Sequence, residues 1–324
     1  MLSMIENKVL LDIIKENFDL KISHHEIEAL IGKSIRSDEV IELFASIGIS
    51  LMIKADSYEY RNIDFLEKEV IKEKIDQIDR KMAIRIEVEE IIKTTSRYFS
   101  DEDLERDKYA LCFSEFQTQG RGRGTNKWLS PYGSGICFSI IGHLSSESSP
   151  LGLSIYCGIT LVKILRKLGY EDVSLKWPND LIHNGKKLGG ILTELSSQSS
   201  KDYMFNIGIG VNYDLGPQLK SMQDNGFPPT DLLQTKQTVD YSRSELSGFI
   251  AKAIIESLND FDQQSMLNAL NDWPEYDVLH QKEVKIIEGD KCIKGKNVGI
   301  HHTGALLVDH HGVIKRVYNG HLVI

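Results

Sequence analysis

Two apolar runs, Tyr109 to Phe116 and Ile136 to Ile141, bracket the stretch Gly120-Arg121-Gly122-Arg123-Gly124-Thr125-Asn126-Lys127-Trp128. Short apolar runs bounded by turn residues read as buried strands. The stretch between them is therefore an ordered loop, not a disordered Arg-Gly tail of the kind that binds nucleic acid. Glycine has no Cβ, so such a loop can fold closely over a ligand. Arginine forks match carboxylate and phosphate oxygens, and tryptophan offers a flat face for another ring. These contents suit a small, anionic, nucleotide-like ligand. The loop is not a P-loop, which ends in Gly-Lys-Ser/Thr. It also misses the dinucleotide fingerprint, because Thr125 sits where the third glycine belongs.

Two further regions sharpen this reading. Ser174-Leu175-Lys176-Trp177-Pro178-Asn179-Asp180 places a lysine at the end of a short apolar run, before a proline turn. A lysine closing a buried strand needs an anion. Lys187-Leu188-Gly189-Gly190-Ile191-Leu192-Thr193-Glu194 and Asn206-Ile207-Gly208-Ile209-Gly210-Val211-Asn212 read as buried strands, with glycines where something approaches the backbone. Glu194 is expected to tie strands together, and Lys127 and Lys187 to be solvated.

In this order, these stretches resemble the motifs of the biotin protein ligases: a G-R-G-R loop ending near a tryptophan, K-W-P-N-D, K-L-x-G-I-L-x-E and G-x-G-x-N. The resemblance runs from Ala83 to Ile324. It departs from the family at Gly124 and Thr125, where a variable residue followed by glycine is more usual. It departs again at Thr94-Thr95-Ser96, where the family usually shows Ser-Thr-Asn.

The resemblance implies a two-step reaction. Biotin's carboxylate attacks the α-phosphate of ATP, and a lysine amine of an acceptor then attacks the biotinyl-5′-AMP. The implied acceptor is the biotin carboxyl carrier protein of acetyl-CoA carboxylase. Mg²⁺ would mask the pyrophosphate, with Asp180 as its contact. Carried onto matching positions, Thr94, Thr95, Ser96 and Gln117 line the biotin pocket, and Arg121, Gly122 and Arg123 close over it. Lys176 contacts carboxylate and phosphate; Lys176, Arg121 and Arg123 are the catalytic candidates. Gly189, Gly190 and Gly208 admit biotin, and Gly210 admits the nucleotide. Trp128 stacks near the purine, and Asn212 and Asn179 hydrogen-bond the adenylate. The rival readings are a lipoate-type ligase of the same fold and a mainly DNA-binding, biotin-responsive repressor.

The implied fold is α+β: an N-terminal winged helix-turn-helix over 1–62, a central mixed α/β catalytic domain over 63–275 and a C-terminal SH3-like β-barrel over 276–324. The residues support this order. Val9, Leu10, Ile13 and Ile14 form a helical stripe, and Ser23 with Glu26 forms a capping box. Val40, Ile41 and Phe44 repeat the helical period, and Ile49 to Ile53 with Ser57 to Tyr60 read as a wing. Phe65 to Ile78, Ile155 to Leu168 and Ser244 to Phe261 are the later helices. Five short strands separated by turn signals, Glu288-Gly289-Asp290 among them, follow Tyr276.

Charge limits the partners. The net charge of −9 argues against whole-chain binding to nucleic acid or anionic membrane. Residues 1–62 carry seven lysines and arginines against eleven acids, and Asp38, Glu39 and Glu42 fall on the candidate recognition helix. Operator binding, by a homodimer formed on adenylate binding, is thus left open. Every residue assigned to chemistry lies between Thr94 and Asn212, so residues 63–324 are expected to keep activity alone. No apolar run approaches a membrane span, and Glu6, Asp12 and Glu16 interrupt any secretory signal. The four cysteines form no C-x-x-C pair, which fits a reducing, cytoplasmic compartment.

Overall fold

The alternation of glycine with isoleucine and valine in Asn206 to Asn212 organises the centre of the molecule. Successive side chains on a strand point to opposite faces. In β10 (Asp202–Asn212) this places Ile207, Ile209 and Val211 on one face and Asn206, Gly208, Gly210 and Asn212 on the other. The apolar three are buried in the main core, with side chains of α4 (Leu153–Lys167) and α5 (Arg243–Asn259). The small and polar four are left to face something else.

The computed structural model describes residues 11–15, 20–78, 82–104, 107–145, 150–197, 202–216, 227–235, 240–288 and 291–323. Strand β10 lies in a seven-stranded sheet of order β4-β5-β6-β10-β9-β8-β7. Its other strands are β4 (Ile84–Ile92), β5 (Tyr109–Gln117), β6 (Gly135–Ser145), β7 (Val173–Lys176), β8 (Asp180–His183) and β9 (Lys186–Ser197). Only β4 and β5 pair in parallel; the other pairings are antiparallel. The register sets Gly208 between Ser139 and Leu192, and Gly210 between Cys137 and Gly190.

The N-terminal unit has the winged-helix order. Residues 11–15 are helical, then come β1 (Lys21–Ser23), α1 (His24–Ile31), α2 (Ser37–Ala45), β2 (Met52–Lys54) and β3 (Ser57–Glu59), with sheet order β1-β3-β2. The capping box at Ser23 and Glu26 forms, and Gly32 ends α1 at φ 76°. Ile13 and Ile14 are buried; Val9 and Leu10 of the same stripe lie outside the described residues. On α2, Val40, Leu43 and Phe44 face inward, with Leu43 in the place expected for Ile41.

This unit is not merely tethered. Its core takes in Ile63 and Tyr132, with Phe65, Ile91 and Phe116 packed against it. The Tyr132 N–H donates to Ile47 O at 2.9 Å, and Arg61 pairs with Asp214. Tyr132 lies four residues beyond Trp128, so the N-terminal unit abuts the end of the glycine-arginine loop. A buried ion pair between Arg243 and Glu115 also sits at this junction, where Glu115 accepts from the Leu66 N–H at 2.6 Å.

The expected Phe65–Ile78 helix is shorter: α3 spans Lys68–Ile75 and buries Ile71 and Ile75. Ile78 packs on the core from beyond its end. Helix α6 (Gln263–Tyr276) leads into a five-stranded antiparallel sheet of order β14-β13-β12-β11-β15. Its strands are β11 (Glu283–Glu288), β12 (Lys291–Ile300), β13 (Leu306–His310), β14 (Val313–Val317) and β15 (His321–Val323). The expected turn at Gly289-Asp290 lies outside the described residues. Among the described residues, no helix is long and apolar enough to cross a membrane.

Candidate active site

The face of β10 opposite the core carries the site. The glycine-arginine stretch crosses it as a tight hairpin. Trp128 N–H donates to Gly120 O at 3.0 Å and Gly122 N–H to Asn126 O at 2.8 Å. Gly124 turns the chain at φ 66°, where a side chain would be strained.

At one end lies a polar cluster. After β4 the chain makes a single 3₁₀ turn, Thr95–Arg97. The Thr95 N–H donates to Gln117 Oε1 at 2.8 Å, and the Thr95 hydroxyl lies 2.7 Å from Ser139 Oγ. Thr94 and Ser96 share a hydroxyl contact of 3.2 Å. Arg121 donates to Ser96 Oγ at 3.4 Å and grips Glu194 with two nitrogens, each at 2.7 Å. Asn206 Nδ2 donates to Ser96 O at 2.5 Å. Thus Thr94, Thr95, Ser96, Gln117 and Arg121 come together in one cluster.

Level with Gly190 and Gly210 lies the charge. Lys176 ends β7, 12 % exposed, with Nζ 3.8 Å from Asp180. Lys187 Nζ lies 3.2 Å from the other Asp180 oxygen. Lys187 is therefore a member of the site, not the solvated side chain expected, because the β8–β9 hairpin brings it back beside Asp180. Phe227 presents its ring to the Lys176 ammonium at 5.0 Å. Arg123 is held differently from Arg121: its guanidinium donates to Asn319 Oδ1 at 2.6 Å and faces the Trp177 ring at 5.9 Å. Burial lowers the Arg123 pKa, and the Asp180 charge opposes that shift.

At the far end lies the indole. Trp128 Nε1 donates to Cys137 Sγ at 3.3 Å. Burial pushes the Cys137 thiol pKa up, so it remains an S–H. A Cβ placed on Gly210 would come 2.6 Å from the indole, so Gly210 is where the ring rests. The other glycines divide. A Cβ on Gly189 would come 2.5 Å from Gly210 O, so that glycine serves strand packing. A Cβ on Gly190 or Gly208 would make only ordinary contacts, none closer than 3.7 and 3.6 Å, so neither glycine is required by strand packing.

Two asparagines are less available than the sequence suggests. Asn179 is pinned to β9, Nδ2 donating to Ile191 O at 2.7 Å. Asn212 is 3 % exposed and donates to Thr230 O at 2.9 Å, while its Oδ1 has no partner. What each offers a ligand is its free carbonyl oxygen at most. Asp180 is likewise engaged, by two ammonium groups. Glu194, Ser139, Asn206 and Asn319 were not singled out as ligand contacts. The first three follow from the strand register, which puts them on the Gly208 face; Asn319 is 196 residues from Arg123, and no local pattern links them.

Residues 88–212 match the model of the biotin/lipoate A/B protein ligase family. The chain is 32% identical over 233 residues to the bifunctional ligase/repressor BirA of Escherichia coli, covering 72% of this chain and 71% of that one. Identity to the bifunctional ligase/repressor BirA of Salmonella typhimurium is 34%, over 72% of each. Among solved structures, the biotin protein ligase from Aquifex aeolicus in complex with biotin and ATP superposes with a TM-score of 0.56 at 26% identity, covering 74% of this chain and 97% of that one.

Proposed function

This chain belongs to the biotin protein ligase family, and on that premise we propose how its residues divide the work of an ATP-dependent biotin–protein ligase. One observation carries the assignment. A Cβ on Gly190 would lie 3.7 Å from both Asp180 Oδ1 and the Trp128 ring. The lysine-flanked carboxylate and the indole thus converge on one glycine, which puts the positive charge and the ring within reach of one small ligand, as a mixed carboxylate–phosphate anhydride next to a purine requires.

The first step brings two anions together. Unit charges at ~4 Å and an effective dielectric of ~20 repel by about 4 kcal/mol, roughly a thousandfold in rate. Lys176, nearly buried and fixed by the β7–β8 turn, lies between them and cancels that repulsion as charge develops. Asp180 orients Lys176 and Lys187 without taking the reacting proton. Arg123 adds positive charge from the loop. Its acceptors, Asn319 and the Tyr318 carbonyl, are neutral, so they leave that charge uncancelled. Trp128 supports the purine, and the Asn212 carbonyl oxygen is an acceptor for its amine. The ureido ring lies toward Thr95, Ser96 and Gln117. In the second step the acceptor lysine displaces AMP, and the acceptor class is a biotin carboxyl carrier domain, that of acetyl-CoA carboxylase first.

Magnesium enters only with the nucleotide. Among the described residues no three histidine, cysteine, aspartate or glutamate side chains gather as a metal site, and Asp180 is shared by two ammonium groups. Among the described residues these side chains do not build a metal centre of their own.

The repressor function named in the relatives is a separate matter. Asp38, Glu39 and Glu42 are exposed on α2, and Arg36 beside them already pairs with Asp38 at 3.1 Å. Phosphates would meet repulsion on that helix. The test of the ligase reading is biotin-dependent exchange of labelled pyrophosphate into ATP. Exchange with biotin and none with lipoate supports it; exchange with lipoate alone replaces it by the lipoate reading.

A further inference from the structure

Asn206 holds a buried acceptor that no described residue uses. Its Nδ2 donates to Ser96 O at 2.5 Å. A carbonyl oxygen can only accept, so this bond fixes which end of the amide is which. The other end, Oδ1, is buried without a partner. Buried polar groups are nearly always paired, so an orphan inside a binding site points to a ligand donor.

Position decides which donor. Asn206 lies two residues before Gly208 on the same face of β10, where a Cβ would meet nothing closer than 3.6 Å. The nucleotide end, marked by Trp128 on Gly210, is four residues along the strand, about 13 Å away at ~3.3 Å per residue. That distance removes the purine amine from reach. Biotin's carboxylate and thioether have no hydrogen to give, and its two ureido N–H groups are its only donors. Glu194, opposite Asn206 in the register, is taken by Arg121.

We propose that Asn206 Oδ1 accepts one ureido N–H of biotin, making Asn206 a specificity-determining residue of this ligase. The proposal rests on the ligase reading above.

The test compares biotin with its two analogues methylated on one or the other ureido nitrogen, in pyrophosphate exchange by full-length wild type and Asn206→Ala. The wild type should reject the analogue whose methyl replaces the donated hydrogen. Asn206→Ala should raise the KM for biotin about tenfold, as expected for a lost hydrogen bond of about 1.4 kcal/mol, leave kcat nearly unchanged, and accept that analogue as well as biotin. Asn206→Ser, which restores a hydroxyl acceptor, should recover part of the discrimination. The proposal is overturned if Asn206→Ala keeps the wild-type discrimination. It is equally overturned if biotin and both analogues lose in parallel, which marks a role confined to holding Ser96. A wild type inactive with biotin would instead sink the ligase reading itself.

Discussion

The Trp128 indole rests on Gly210, so closely that a methyl group at this position would come within 2.6 Å of Cε2 and 2.7 Å of Cζ2. Its N–H donates to Cys137 Sγ, which holds the ring down on that glycine. Gly210→Ala must therefore lift the indole away from the sheet. Base–aromatic stacking contributes about 1–3 kcal/mol, so the KM for ATP should rise about tenfold or more while biotin binding changes little. Steady-state kinetics with each substrate varied will show this; an unchanged KM for ATP would remove Trp128 from the nucleotide site.

Lys176→Ala should cut pyrophosphate exchange at saturating substrates about a thousandfold, the rate equivalent of the anion repulsion it offsets. Biotin affinity should fall far less. Near-wild-type exchange would leave the Lys176–Asp180 pair a purely structural tie.

Arg123→Gly and Asn319→Ala should act alike, because Asn319 accepts from Arg123 at 2.6 Å. Both should speed the escape of biotinyl-5′-AMP from the closed site, about tenfold for a hydrogen bond to a charged group. Asn319→Asp keeps an acceptor but neutralises the guanidinium, and should raise the KM for ATP instead. Rapid-mixing measurement of adenylate release separates the variants. Equal release from wild type and Asn319→Ala would free the loop from the C-terminal sheet.

These residues differ in how far the sequence announced them. Lys176 and Trp128 could be read directly, because each sits in a short motif whose residue types have few other uses. The alternation Asn206-Ile207-Gly208-Ile209-Gly210 also announced a strand with one face kept clear. Lys187 and Asn319 could not be read so. Their roles come from a hairpin register and from a sheet packed across the loop, and single-sequence periodicity carries neither. Glycine identity alone did not separate Gly189, which fits against a neighbouring strand, from Gly208, where a side chain would make only ordinary contacts. The winged-helix order was legible in caps and stripes, but its shared core with Tyr132 was not.

That shared core alters the expectation for residues 63–324 alone. Tyr132 is fully buried against the N-terminal unit. Removing that unit uncovers Tyr132, Ile63 and their neighbours, at about 25 cal/mol per Å² of apolar surface. The truncated chain should still form adenylate but melt several degrees lower. Calorimetry of both forms decides this, and equal melting temperatures would show that the contact adds no stability.

Asp277 should make stability depend on pH. It is buried, accepting from Trp273 Nε1 at 3.1 Å and from Asn297 Nδ2 at 2.6 Å. Burial outweighs these donors and raises its pKa above the ordinary carboxylate value. The folded state then holds the proton more tightly than the unfolded one. Its stabilising contribution is complete below the unfolded pKa and is lost as pH rises through the folded one. Relative to Asp277→Asn, the wild type should therefore weaken as pH rises through that interval in urea melts. A difference independent of pH, or one favouring the wild type at higher pH, would contradict the assignment.

On the proposed function, the strip from Ser96 to Trp128 joins biotin to AMP and passes it to a lysine. The most direct measurement is transfer of labelled biotin to a carboxyl carrier domain by the full-length protein, with and without ATP. Label should appear on a single carrier lysine, wholly dependent on ATP, and should be lost with Lys176→Ala. Transfer that proceeds without ATP, or none with every component present, would contradict it.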